Sequence, residues 1–183
     1  MKCAYADPPY PGMAHRYGCA EVNHEWLIRD LCECYPDGWA LSTSSKCLRD
    51  LLPLCPSDVR VAAWVQPWCT WRPYERVAEA WEPVLFVGGR PKRNRPHDTQ
   101  LMRDWLAESV NRGLSECKFP GQKPEAFCWW VFDLLGLTPD DELVDLFYGS
   151  GAVTRAWERY RTERLFVQPT ETPHPELFEE QPA

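Results

Sequence analysis

No two of the chain's cysteines stand in a CxxC pair, although there are nine of them in 183 residues. The nearest approach is Cys32-Glu33-Cys34, with His24 upstream. Zinc sites usually draw on paired ligands about two to four residues apart, so the spacing predicts no metal site and small buried thiols instead. An odd number of cysteines and the lack of a secretory leader argue against a disulfide framework. The leader's apolar core is missing because Asp7, Pro8 and Pro9 interrupt the N-terminal apolar residues at once. No apolar run approaches the ~18 residues that span a bilayer. These absences predict a cytoplasmic protein with no membrane partner. There is no internal repeat. There is also no complete GxGxxG and no glycine followed by Lys-Ser/Thr, so neither the dinucleotide fingerprint nor the P-loop is present.

Aromatics and prolines, by contrast, are plentiful. Ten tryptophans and 18 prolines predict aromatic surfaces and many loops. Apolar residues make up 44%, typical of a globular chain, and the length suits one well-cored domain. A net charge of −7 is unhelpful to a nucleic-acid binder in aggregate, but the charge is unevenly spread. Gly88-Gly89-Arg90-Pro91-Lys92-Arg93-Asn94-Arg95-Pro96 packs four cations into six positions, while acids concentrate at 140–145 and after Glu171. Phosphate contacts are local and screened beyond about 8–10 Å, so such a loop can serve even on an acidic protein. A merely solvated loop reads equally well.

Cys3-Ala4-Tyr5 reads as a short strand that ends abruptly at Asp7-Pro8-Pro9-Tyr10. The two prolines remove two N–H donors, fix φ and push each preceding residue away from helix. His24–Tyr35 places Trp26, Leu27, Leu31 and Cys34 near helical spacing, and Pro36-Asp37-Gly38 stops it. Further strands are predicted at Trp39–Thr43, Val59–Val65, Pro83–Val87, Glu142–Phe147 and Arg164–Gln168. Further helices are predicted over Ser45–Leu54, Thr99–Val110, Pro124–Leu135 and Ala152–Arg161. Gln66–Tyr74 reads as a loop, and the acidic, proline-rich tail 169–183 as disordered. The alternation predicts a single α/β domain over 1–168, a mostly parallel sheet with helices on both faces.

The most telling stretch is Asp145-Leu146-Phe147-Tyr148-Gly149-Ser150-Gly151, a strand running through a glycine turn into a helix. In α/β sheets such a turn lies at the carboxyl ends of the strands, where ligands bind. Its glycines let backbone approach a ligand, and the helix start offers free N–H groups. A GxG turn alone is weak evidence. Together with Asp7-Pro8-Pro9-Tyr10, however, it resembles the amino-group DNA methyltransferases that use S-adenosylmethionine (SAM). In that family a D-P-P-Y element holds the target amino group and an F-x-G-x-G element binds SAM. The order, catalytic motif first, resembles the circularly permuted β-type arrangement. Gln122-Lys123-Pro124 before a helix and Asp145 resembles the family's K-P element. Trp81-Glu82-Pro83-Val84-Leu85-Phe86-Val87-Gly88-Gly89 resembles its E-x-x-L-x-x-x-G strand. The likeness runs from residue 3 to about 168 and extends to short, phage-type methylases.

The resemblance implies a Rossmann-like SAM-dependent methyltransferase fold, SAM as cofactor, DNA (duplex or single-stranded) as partner, and no metal. It places the protein in a bacterial or phage-infected host cell. Asp7 and the Pro8 carbonyl would hold the amino group, the missing donors of Pro8 and Pro9 would leave carbonyls outward, and Tyr10 would stack on the flipped base. Asp145, Phe147, Gly149, Ser150, Gly151 and Asp7 would line the SAM pocket, with Lys123 near the methionine carboxylate. Lys123-Pro124 reads equally as an ordinary helix start, and Phe147 as core. Segments 65–75 and 88–120 are the available recognition region. Arg90, Lys92, Arg93 and Arg95 would face phosphates there, and Trp68, Trp71 and Tyr74 would stack on bases, or simply pack. Relatives usually carry an acid at the end of the strand after the SAM turn, for the ribose; here Gln168 stands there and Glu171 follows a proline. Either ribose binding is weaker or another residue serves. A short recognition region predicts relaxed specificity or a helper, and is compatible with a homodimer. The D-P-P-Y form ending in Tyr10 favours adenine N6, since the family's cytosine-N4 members more often begin that motif with serine. Cytosine N4, an RNA substrate, and a non-catalytic binding protein of the same fold are the alternatives.

Overall fold

The computed structural model of the chain describes residues 1–67, 74, 76–91, 102–109 and 122–166. Six strands form one sheet: β1 (Lys2–Ala6), β2 (Gly38–Ser42), β3 (Arg60–Val65), β4 (Trp81–Gly88), β5 (Trp105–Ala107) and β6 (Glu142–Asp145). Their order across the sheet is β5-β3-β4-β2-β1-β6. β1 pairs in parallel with both β2 and β6, and β3 with β5; β4 runs antiparallel to its neighbours β2 and β3. Only β4 is therefore reversed, and the sheet is mostly parallel as expected.

Alternation along the strands divides the core in two. Cys3 and Tyr5 point to one face, where they meet α3 (Glu125–Leu134) and α4 (Ala152–Phe166) through Phe127, Phe132, Trp157 and Tyr160. Ala4 and Ala6 point to the other face and meet α1 (His24–Cys34) and the short α2 (Leu48–Leu51) through Ile28, Leu31 and Leu51. Both flanks of β1 are buried, which is why it reads as a continuous apolar run. Helices thus cover both faces of an α/β, Rossmann-like sheet. α1 starts where the Asn23 side chain accepts from the Trp26 N–H, and α3 starts directly after Pro124.

Two elements differ from the sequence expectation. The described part of the predicted helix Thr99–Val110 contains β5 instead, because its backbone pairs with β3: Ala63 N–H donates to Asp104 O, and Glu108 N–H to Val65 O. The predicted strand Arg164–Gln168 is helix as far as Phe166, and α4 runs on without a break. Arg161 and Arg164 anchor that last turn to Pro139 O and Asp133. Gln168 and the tail lie outside the described residues. Among the described residues no helix is long and apolar enough to cross a membrane, and no His/Cys/Asp/Glu group could hold a metal ion.

Candidate active site

Asp7 follows β1, Gln66 follows β3 and Phe147 follows β6, so all three lie at the carboxyl edge of the sheet. The reversal of β4 brings its first residues to that same edge, and Glu82 with them. A cavity of ≈ 620 Å³ opens there. Asp7, Pro8, Pro9 and Tyr10 line one part of it, and Phe147, Tyr148, Gly149 and Ser150 another. Two segments about 140 positions apart thus meet in one space because β1 and β6 are neighbours, with Tyr5 opposite Asp145 in register. Trp64, Gln66, Glu82 and Lys123 complete the wall between them.

A charged cluster occupies the floor. The Lys123 ammonium lies 3.3 Å from Asp7 Oδ1 and 3.0 Å from Glu82 Oε2, with its side chain only 6% exposed. It also faces the rings of Trp64 and Phe127, at 5.3 and 5.5 Å from their centroids. Glu82 accepts two further hydrogen bonds, from Tyr10 Oη at 2.8 Å and from Gln66 Nε2 at 2.8 Å. Burial pushes the Asp7 carboxyl above the ordinary aspartate value, more than the attraction of Lys123 pulls it down. Glu82 feels burial as well, but Lys123, Tyr10 and Gln66 together hold it below the ordinary glutamate value. Lys123 is desolvated, yet the surrounding Asp7, Tyr10, Tyr5 and Glu82 raise it well above an ordinary lysine. With these three groups ionised, two carboxylates against one ammonium leave a net charge of −1. Such a cluster favours a cationic ligand.

The glycine turn bounds the opposite wall. Gly149 and Gly151 have φ of +47° and +72°, conformations that only glycine adopts at little cost. A Cβ on Gly151 would stand 2.7 Å from Tyr148 Oη and 2.8 Å from its Cζ. One on Gly149 would meet nothing closer than Phe147 O at 3.7 Å, leaving that side open to a ligand. Asp145 lies beneath the turn. Its Oδ2 accepts from Thr154 Oγ1 at 3.3 Å, its Oδ1 is buried, and the Phe147 backbone N–H donates to the carboxylate. Burial raises its carboxyl above the ordinary value.

The remaining expected residues divide between the cavity and more distant places. Lys123 is at the cavity, but its ammonium already serves two carboxylates, so a ligand carboxylate would share it. Arg90 lies at the opposite edge of the sheet, two residues past Gly88, which pairs with the first residue of β2. Its guanidinium holds Asp141 Oδ1 and Oδ2 at 2.9 and 2.7 Å and reaches Gly136 O at 3.2 Å. That arrangement commits it to a structural contact remote from the cavity. Lys92, Arg93, Arg95, Trp68 and Trp71 lie outside the described residues. Glu82, Gln66 and Trp64 were not anticipated as site residues. For Glu82 the signal was present: a charged residue within an otherwise apolar strand, next to a proline.

No family model matches the chain, and a search of curated proteins returns no match. Solved structures do share the fold. A crystal structure of the M1.HpyAVI–SAM complex is 20% identical with a TM-score of 0.59, over 87% of this chain and 78% of that one. A crystal structure of M1.HpyAVI is 18% identical, with a TM-score of 0.57 over 87% of this chain and 76% of that one. The PvuII DNA methyltransferase, described as cytosine-N4-specific, is 13% identical with a TM-score of 0.62, over 94% of this chain and 81% of that one.

Proposed function

We propose that this protein transfers a methyl group from SAM to the exocyclic N6 amino group of adenine in DNA. The observation that carries the reading is the meeting of Asp7-Pro8-Pro9-Tyr10 with Phe147–Ser150 around one cavity at the carboxyl edge of the sheet. The residues present suit SAM. Asp145, a half-buried carboxylate at the end of β6 just before the turn, would attract a ligand ammonium. The Gly149 side of the turn has room for a ligand, and the net negative floor suits a sulfonium. The first N–H groups of α4, at the cavity wall, suit a carboxylate. When bound, SAM supplies an electrophilic methyl group.

The chain's own contribution is positioning and electrostatics. An exocyclic amine is a poor nucleophile because its lone pair is delocalised into the ring. Asp7 and the Pro8 carbonyl accept its hydrogens, shift the nitrogen toward tetrahedral geometry and stabilise the positive charge that develops on it. Asp7 Oδ1 faces Lys123, and the Asp7 side chain lines the cavity. Tyr10 presents its ring to the base, its hydroxyl tied to Glu82. A base in duplex must leave the stack to enter such a pocket. The fold shared with an enzyme described as cytosine-N4-specific supports a second reading, cytosine N4, by the same chemistry.

The test is nucleoside mass analysis of DNA incubated with SAM and the purified protein, beside Asp7→Ala. N6-methyladenine from the intact protein, lost by at least about 100-fold in the variant, is the expected result. N4-methylcytosine would keep the mechanism and change the base. No methylated nucleoside on duplex or single strands would overturn the reading.

A further inference from the structure

Glu82 opens the E-x-x-L-x-x-x-G stretch, to which no role at the site was attached, yet three donors converge on it in the cavity. Both of its oxygens are engaged: Oε1 by Gln66, and Oε2 by Tyr10 and Lys123. Its three donors come from different parts of the fold: the turn after β1, the end of β3 and the residue two positions before α3. We infer that Glu82 is a positioning residue, holding the Tyr10 ring in place and drawing Lys123 away from Asp7 so that Asp7 can receive the target amino group. The inference rests on the methyl-transfer reading above.

The geometry supports this division of the ammonium. Lys123 is closer to Glu82, at 3.0 Å, than to Asp7, at 3.3 Å, and Asp7 is 24% exposed toward the cavity. A carboxylate locked in a tight two-oxygen pair with Lys123 would have less acceptor capacity and less negative charge to offer an amine. With Glu82 present, the cation is shared. Replacing Glu82 with a neutral group would leave Lys123 with Asp7 alone and tighten that pair. It would also loosen the tyrosine, whose hydroxyl has no other described partner at the cavity. Groups facing Asp7 are Lys123, Glu82 from β4, Asp145 from β6, and Tyr5 and Tyr10. Of these, Glu82 raises the Asp7 carboxyl and Lys123 lowers it, so losing Glu82 lowers it.

The experiment compares the full chain with Glu82→Gln and Gln66→Leu. The first removes the charge; the second removes one donor and leaves every charge in place. Single-turnover methyl transfer from SAM to unmethylated DNA is expected to slow about 100-fold in E82Q and about tenfold in Q66L. SAM affinity, read by calorimetry, should change less than about threefold in both. The acid limb of the E82Q rate profile should move to lower pH, and the Asp7 carboxyl resonance should titrate at lower pH in the same variant. A role confined to stability would leave that limb and that titration where they are. Wild-type rates in both variants, or an Asp7 titration unmoved in E82Q, would overturn the inference. The resonance needs no turnover. A chain that makes no methylated base but shows the shift would therefore remove the methyl-transfer reading while leaving the Asp7–Lys123–Glu82 coupling established.

Discussion

Lys123 is a buried cation held between two carboxylates and two aromatic rings, and its removal has a definite sign. In Lys123→Met the Asp7 carboxyl loses the attraction that opposes burial, so its affinity for a proton rises further. The acid limb of methyl transfer should then move to higher pH, opposite to the shift expected for E82Q, and a pH–rate profile checks it. Stability follows the same linkage. A carboxyl raised above its unfolded value stabilises the native state below that unfolded value, and the contribution is lost as pH rises through the folded value. K123M should therefore melt at higher temperature on mild acidification from neutral pH, by calorimetry. None of this was visible in the letters Lys123-Pro124, which read equally well as a plain helix start. Burial and the approach of Glu82 from another strand decide it, and neither is local. Asp7, Tyr10 and the glycine turn, by contrast, could be recognised because each is a short stretch whose backbone chemistry is unusual by itself.

Among the elements, the glycine turn between β6 and α4 has no room for a side chain at Gly151. Gly151→Ala would force a Cβ against the Tyr148 ring in a backbone conformation unfavourable to alanine. A rearranged turn should weaken SAM binding about tenfold or more, by calorimetry, at a stability cost of about 1–2 kcal/mol. α3 answers differently. Phe127 is fully buried and its ring contacts Tyr5, Trp64 and Trp130. Phe127→Ala should cost about 3–5 kcal/mol in urea denaturation, because the cavity it leaves lies between the sheet and the helix. β1, α1 and α3 were legible because each carries an apolar pattern or a proline stop that packing merely reinforces. β5 was not. Met102, Trp105 and Leu106 have helical spacing, but the segment is a three-residue edge strand in which only Leu106 turns toward the core, too short for alternation to mark it. Only its hydrogen bonds to β3 make it a strand. The extension of α4 was likewise hidden, since Leu165 and Phe166 favour a strand by composition and the partners of Arg161 and Arg164 come from distant residues.

For the molecule as a whole, the two edges of the sheet divide the work. The cavity occupies the carboxyl edge, and the opposite edge is tied by Asp141, which accepts from the N-terminal ammonium and Arg90. These partners hold the Asp141 carboxyl well below the usual carboxylate range, against burial. Its stabilisation is therefore present at neutral pH and lost only in strong acid. Asp141→Asn should cost about 2–3 kcal/mol in urea while leaving SAM affinity within about twofold, a separation of scaffold from site that denaturation and calorimetry test together. The pairing of β1 with β6 has a kinetic consequence. Those strands lie side by side but about 140 residues apart along the chain, with Lys2 opposite Glu142. Closing so long a loop is slow, because its entropy is lost before its contacts are gained. At synthesis rates of about 5–20 residues per second, the first strand would wait on the order of ten seconds for its neighbour to be made. A half-made chain thus carries Asp7-Pro8-Pro9-Tyr10 without the turn that faces it across the cavity, and that cavity stays incomplete until β6 has emerged from the ribosome.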